Sequence, residues 1–206
     1  AHEHMNNEHI PLPPQIFADR QNAYGVNIDI ASEAAPFEQQ VAAFLSHQWQ
    51  GYSIIDGVAI KGANPEHDEV ITAPYDRRIR VGLVHFAQPE QAVQAIAAAQ
   101  AAFPAWQAST IAQRSEKLKT LADLLEQNLA ELVALCHQEA GKTIHDSIDE
   151  VREAVDFCRY YAKQAQQLAP YTQVGFDGVS RQLARQGRGV FVCISPWIFP
   201  LALFLG

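Results

Sequence analysis

The chain has 206 residues, of which 48% are apolar and 18% charged, and its formal net charge is −8. That composition excludes a disordered polypeptide, which would lack the apolar side chains needed to offset the entropy of ordering. The negative charge argues against nucleic acid or an anionic membrane surface as the main partner, and the length suggests one domain or slightly more.

Three cysteines, Cys136, Cys158 and Cys193, are odd in number and scattered among apolar residues. They offer no disulfide framework and suit a reducing, cytoplasmic setting. His2 and His4 stand at a ligand-like spacing in Ala1-His2-Glu3-His4-Met5. An expression remnant or frayed tail accounts for that pentapeptide better than a metal site, and no metal is expected. Residues 6–35 contain Pro11-Leu12-Pro13-Pro14 and Asn22-Ala23-Tyr24-Gly25, which reads as an extended connector with little packing of its own. In 36–50, Phe37, Val41, Phe44, Leu45 and Trp49 fall near helical spacing, predicting a short amphipathic helix. The period then changes. Over 51–87, Ile79, Val81 and Leu83 alternate with Arg80, Gly82 and Val84, and Asn64-Pro65 and Pro74-Tyr75-Asp76 punctuate. Two or three strands joined by turns are expected there.

Helices follow. Pro89 opens an alanine-rich segment with Val93, Ile96, Ala97 and Ala101 on one face, expected to end near Phe103-Pro104 because helices usually stop before proline. Thr110 and Gln113 have the spacing of a capping box. From Leu118 to Cys136 one apolar face is sustained, with a bend expected near Asn128, and Gly141 supplies the stop. The next helix is expected over 143–168. Ile148, Val151, Val155, Cys158, Ala162 and Ala165 form its core face, while Glu153, Phe157 and Tyr160 fall roughly opposite. A solvated face rarely carries Phe and Tyr, so this helix is expected to be covered on both sides. A carboxylate in that setting is either a structural partner or a ligand.

The last segment sets the functional reading. Gly189 to Ile194 is a continuous run of β-branched and aromatic residues, the pattern of a fully buried strand. Ser195-Pro196 ends it, and Pro200 suits the first turn of a helix. Strand, loop and helix in that order place the loop at the carboxyl end of a strand, where open α/β sheets bind their ligands. Residues 190–206 are shorter than the ~20 needed for a membrane span and are interrupted by proline. No transmembrane segment is expected, and a tail anchor rests on this run alone.

Ile194-Ser195-Pro196-Trp197-Ile198-Phe199-Pro200 resembles the Ile-Ser-Pro-Trp-Asn-Phe-Pro loop of aldehyde dehydrogenases, with Ile198 in place of Asn. Glu139-Ala140-Gly141-Lys142-Thr143 resembles their Glu-x-Gly-Lys segment, and 150–157 resembles Glu-Val-x-x-x-x-Asp-Phe. These two are closest to the module that oxidises L-glutamate γ-semialdehyde. The run 20–29 resembles the Arg-Asn-Ser-x-Gly-x-Asp-Leu linker of bifunctional proline utilization A proteins, which joins a proline dehydrogenase barrel to such a module. Any one motif is weak, but the ordered set is specific.

The resemblance implies an incomplete α/β aldehyde dehydrogenase-like fold: helices, outer strands and the first strand of a Rossmann-type NAD-binding sheet. Residues 1–50 would be tag remnant, linker and short helix, and 51–206 the front of the dehydrogenase domain, cut within a helix. In the family a cysteine thiolate attacks the aldehyde, a hydride passes to NAD, and a glutamate activates water to release the acid. Ile194, Ser195, Pro196 and Trp197 would line the NAD site. Ile198 occupies the position of an oxyanion-stabilising Asn and has no donor to offer. Phe199 would pack against the aliphatic stem of the substrate, and Glu153 would face its amino group. Glu139 and Lys142 are expected to form a surface ion pair. The nucleophile and base lie beyond Gly206 in the family, and buried Cys136, Cys158 and Cys193 do not substitute. The chain alone is therefore expected to be inactive and, with its 201–205 run unpartnered, poorly soluble. A small aldehyde is the implied substrate, a homo-oligomer the implied parent, and FAD is implied only if a proline dehydrogenase domain precedes. A non-catalytic helical assembly module on the same scaffold is the alternative.

Overall fold

The computed structural model describes residues 9–60, 66 and 68–206. His2, His4 and the Asn64-Pro65 turn lie outside the described residues. The ordered elements are α1 (Ala31–Ala42), β1 (Trp49–Ile55), β2 (Val58–Ile60), β3 (Asp68–Thr72), β4 (Arg80–His85), α2 (Pro89–Ala108), α3 (Ile111–Gln127), α4 (Leu129–Ala140), α5 (Ile144–Gln166), β5 (Tyr171–Val174), β6 (Ser180–Leu183) and α6 (Ala202–Leu205). This is an α/β arrangement, helices with a small mixed sheet and a separate two-stranded ladder.

The strands of 49–85 form one sheet in the order β2-β1-β4-β3, with β1 and β4 parallel and the other neighbours antiparallel. Glycine at 82 is required by the close approach of β1, because a Cβ there would collide with the Trp49 carbonyl. A second ladder, β5-β6, is a hairpin with every residue exposed. The core lies instead among α1, α3, α4 and α5. Phe37, Val41, Ala122, Leu125, Val133, Ile148, Val151, Val155 and Cys158 are buried together there. Burial of these side chains stabilises each by about 1.5–3 kcal/mol for the larger apolar ones.

Several expectations hold. Thr110 and Gln113 make the reciprocal capping box, and Asn128 (φ −103°, ψ 19°) divides α3 from α4 while its amide donates to the Leu124 carbonyl at 2.8 Å. Gly141 ends α4 in the left-handed region at φ 68°.

Others are corrected. The first helix spans 31–42 rather than 36–50, with Pro36 inside it, and Trp49 begins β1 because its strand pairs with β4 and its ring N–H donates to Glu131 at 3.2 Å. Pairing and burial override the helical spacing. The alanine-rich α2 runs through Pro104 to Ala108. Its propensity carries it past the one lost backbone bond, and none of its residues is buried. The connector, in its described residues from 9 onward, is docked rather than loose. Asn22 and Ala23 are buried, the Ala23 N–H donates to Asp156 at 2.8 Å, and the Tyr24 N–H donates to Glu126 at 2.8 Å. Arg159 ties this contact together, donating to Glu126 at 2.6 Å, to Asp123 at 3.1 Å and to the Asn22 carbonyl at 3.5 Å. Backbone groups that leave water must find partners, and here α3 and α5 supply them.

A Cβ at position 141 would meet the Pro74 ring at 2.8 Å in addition to the cost of its positive φ. Gly141→Ala is therefore expected to destabilise the chain by about 1–3 kcal/mol. Urea unfolding checks this as a lower midpoint with an unchanged slope.

Candidate cofactor and substrate site

The best-defined polar constellation centres on Glu150, whose side chain is fully buried. It sits on the inward face of α5 between Ser147, Val151 and Ala154, all buried. The left-handed turn at Gly141 brings Lys142 back over this helix, so that its ammonium donates to Glu150 Oε2 at 2.6 Å. The other carboxylate oxygen, Oε1, accepts the N–H groups of Leu201 and Ala202, each at 2.9 Å. Lys142 Nζ also lies 4.8 Å from the centre of the Phe199 ring, within cation–π range. The carboxylate thus has a cation on one oxygen and two amide donors on the other. That is the degree of satisfaction a buried charge needs.

The expected surface pair of Glu139 with Lys142 is corrected by this geometry. Lys142 turns inward to Glu150, while Glu139 remains exposed and is not its partner. The 201–205 run is likewise not unpartnered: Ala202 is buried and Leu201 and Leu205 pack against the core. α6 itself starts at Ala202, two residues beyond the expected Pro200.

The strand expected over 189–194 is absent. Residues 189–196 carry no regular structure, and no described strand pairs with them. Gly189 at φ 119° breaks the extended path at its first residue, and without a neighbouring ladder the run cannot be buried as a strand. Its side chains face outward instead, with Val192 at 77% and Ile194 at 89% exposure, and Trp197 beyond it at 67%. Cys193, expected inside the strand, is exposed for the same reason. The expected strand edge opening onto a crevice is therefore not formed by 193–199. What is ordered is the end of this segment: the Phe199 N–H donates to the Pro196 carbonyl at 3.3 Å, and Glu150 fixes Leu201 and Ala202.

Glu153 stands one turn beyond Glu150 and is exposed. It borders a concavity of about 490 Å³ with Arg20, Asp156, Phe157 and Tyr160 among its lining residues. The face is open, which corrects the expectation that α5 is covered on both sides. Of its aromatic residues Phe157 alone is half-buried, stacking on Tyr161 at 6.1 Å. Residues 194–199 do not line this concavity, so Glu153 and Phe199 are not brought into one pocket. Arg20 Nε and Arg152 Nε are buried without a hydrogen-bond partner, leaving donors beside the carboxylates of Asp149, Glu153 and Asp156. Sequence reading missed Glu150, although a carboxylate spaced with Ser147, Val151 and Ala154 on a core face signals a buried partner. No group of three metal-ligating side chains occurs among the described residues.

Burial, reinforced by the negative charge of Glu150, pushes the Cys136 thiol up to about 11, and burial raises Cys158 as well. Both are poor nucleophiles at neutral pH. The folded state holds the Cys136 proton more tightly than the unfolded chain does. Its contribution to stability is therefore present at neutral pH and is lost as pH rises from the ordinary thiol value of 9.0 toward about 11. A thiol-reactive disulfide reagent at pH 8 is expected to modify Cys193 rapidly and the other two only after denaturant is added. Three equally fast thiols would contradict this packing.

With this geometry in hand, comparison with known proteins is specific. The aldehyde dehydrogenase family model matches residues 61–206. The chain is similar to the "Bifunctional protein PutA" of Escherichia coli (strain K12), with 33% identity over 96% of this chain and 14% of that protein. It is also similar to "1-pyrroline-5-carboxylate dehydrogenase 2" of Bacillus subtilis (strain 168), with 31% identity over 87% of this chain and 35% of that one. Among solved structures, proline utilization A from Bdellovibrio bacteriovorus superposes with a TM-score of 0.83 at 28% identity, over 96% of this chain and 20% of that one. A point mutant of Thermus thermophilus 1-pyrroline-5-carboxylate dehydrogenase agrees in fold, with a TM-score of 0.78 at 23% identity over 93% of this chain and 37% of that one. The chain thus spans well under half the length of each of these relatives, yet it belongs to the aldehyde dehydrogenase family.

Proposed function

We propose that this chain forms the front of an NAD-dependent module that oxidises L-glutamate γ-semialdehyde to glutamate in proline catabolism. The observation that carries the reading is the match to bifunctional PutA along 96% of the chain, linker included. On this reading 1–50 is tag remnant, linker and short helix, and 51–206 is the front of the dehydrogenase domain. The parent is a cytoplasmic homo-oligomer, and FAD belongs to it only where a proline dehydrogenase domain precedes.

Residues 194–197 suit a nicotinamide cofactor in their chemistry. Trp197 and Ile194 present exposed apolar surface, and the irregular backbone of 189–196 is free of strand pairing. An aromatic ring beside unpaired amide and carbonyl groups matches a ligand with flat heterocycles and polar sugars. NAD would accept the hydride. The chain's own residues would seat it through Ile194, Ser195, Pro196 and Trp197, while Phe199 packs on the substrate stem and the exposed Glu153 carboxylate pairs with the substrate ammonium.

The nucleophilic thiol is assigned to none of the three cysteines. Cys136 and Cys158 are buried, and Cys193 stands directly before the Ile194–Trp197 stretch that would seat NAD. Residues 1–206 alone would not turn over. Ile198 favours a second reading, a non-catalytic assembly module, because its side chain cannot donate to a developing oxyanion.

Supplying a donor at position 198 separates the two. In the full-length protein supplied with NAD and L-glutamate γ-semialdehyde, Ile198→Asn is expected to raise NADH formation by roughly 10²-fold, the worth of one oxyanion donor. Absence of NAD binding by calorimetry in both forms would favour the non-catalytic module.

A further inference from the structure

The Lys142–Glu150 pair does more than neutralise a buried charge. It lies where three segments meet: the turn after α4, the middle of α5 and the stretch that follows the Pro-Trp loop. Each is held by a different bond. Glu150 Oε2 takes the Lys142 ammonium at 2.6 Å, Oε1 takes the Leu201 and Ala202 amides at 2.9 Å each, and Lys142 Nζ faces the Phe199 ring at 4.8 Å. The lysine is itself constrained, because its carbonyl contacts His137 Nδ1 at 2.8 Å and Gly141 fixes the turn before it.

No comparable contact holds the other end of this segment. Residues 190–196 are exposed and have no strand partner, so among the described residues the hydrogen bonds that fix the loop 195–199 come from its carboxyl side. The turn from Pro196 to Phe199 then hangs directly from the clamped amides of Leu201 and Ala202. Fixing two consecutive amides on one carboxylate removes backbone freedom, and ordering completed before binding need not be supplied by the ligand.

We infer that Lys142 and Glu150 are positioning residues: they set the attitude of the Ser195–Phe199 loop, and through it the seat of the dinucleotide and the placement of position 198. The inference rests on the NAD-dependent reading above. Neither residue touches cofactor or substrate in this account. Lys142 acts on Glu150 and Phe199, and Glu150 acts on the two amides. A consequence is an asymmetry between charge and shape. Glu150→Gln keeps a carbonyl oxygen for the amides but loses the ion pair, whereas Lys142→Arg keeps a cation for the carboxylate.

The test uses the full-length protein. NAD dissociation constants are measured by calorimetry and kcat and KM by NADH absorbance, at a temperature where circular dichroism shows every variant folded. Lys142→Met and Glu150→Gln are expected to weaken NAD binding at least ~5-fold and to lower kcat, and Lys142→Arg to stay within about 2-fold of wild type. Leu201→Pro, which deletes one amide donor and leaves the ion pair intact, is expected to weaken NAD to a similar extent. It stands in where the charge variants do not fold. Folded Lys142→Met, Glu150→Gln or Leu201→Pro proteins with wild-type NAD affinity and kcat would overturn the positioning role and leave a purely structural pair. A wild-type protein that binds no NAD would instead overturn the functional reading, and the positioning role with it.

Discussion

A single buried carboxylate governs how the end of this chain meets its helical core. Glu150 is fully buried on α5, and its two oxygens serve different segments, one the Lys142 ammonium and the other the amides that open α6. Breaking such a pair by removing one partner costs about 3–5 kcal/mol, mostly from the charge left behind. Much of the local sequence follows from that constraint. Gly141 adopts a positive φ where the chain returns Lys142 over the helix, Ser147 and Ala154 are small buried residues one turn either side of the carboxylate, and α6 begins where its amides reach it.

The helical core and the docked connector share a second network built on the same principle. Arg159 is bound by Glu126, Asp123 and the Asn22 carbonyl, and Asp156 accepts the Ala23 amide. The Asn22 side-chain amide, in the orientation that satisfies both its polar atoms, adds a bond to Asp156 at 2.6 Å. Polar groups of a Pro- and Asn-rich stretch are thereby held by charged side chains of α3 and α5. Residues 22–24 are in direct contact with α3 and α5 in this region. This is consistent with a likeness to PutA that includes both.

Sequence reading succeeded where one local rule acted alone. The Thr110 capping box, the break at Asn128 and the Gly141 stop each depend on a few neighbouring residues, and the family motifs identified the right family. It failed where a distant partner decided the outcome. Trp49 had helical spacing but joined a parallel strand, and Pro104 was carried inside α2. The 189–194 run read as a buried strand, but burial requires a ladder that the described residues do not supply. Of the candidate site, the Pro-Trp motif was legible, whereas its attachment through Glu150 was not, because the bonds run from residue 150 to residues 201 and 202. Glu139 and Lys142 looked like a surface pair for a related reason: adjacency in sequence says nothing about which carboxylate a lysine can reach once Gly141 reverses the chain.

Glu150 holds the start of α6 in place while the segment before it has no strand partner. Amide hydrogen exchange on the 206-residue chain, resolved at single residues, tests this most directly. Leu201 and Ala202 are expected to exchange slowly, like buried amides of α5, and 190–195 at the rate of open chain. Leu201 and Ala202 exchanging as fast as 190–195 would contradict it.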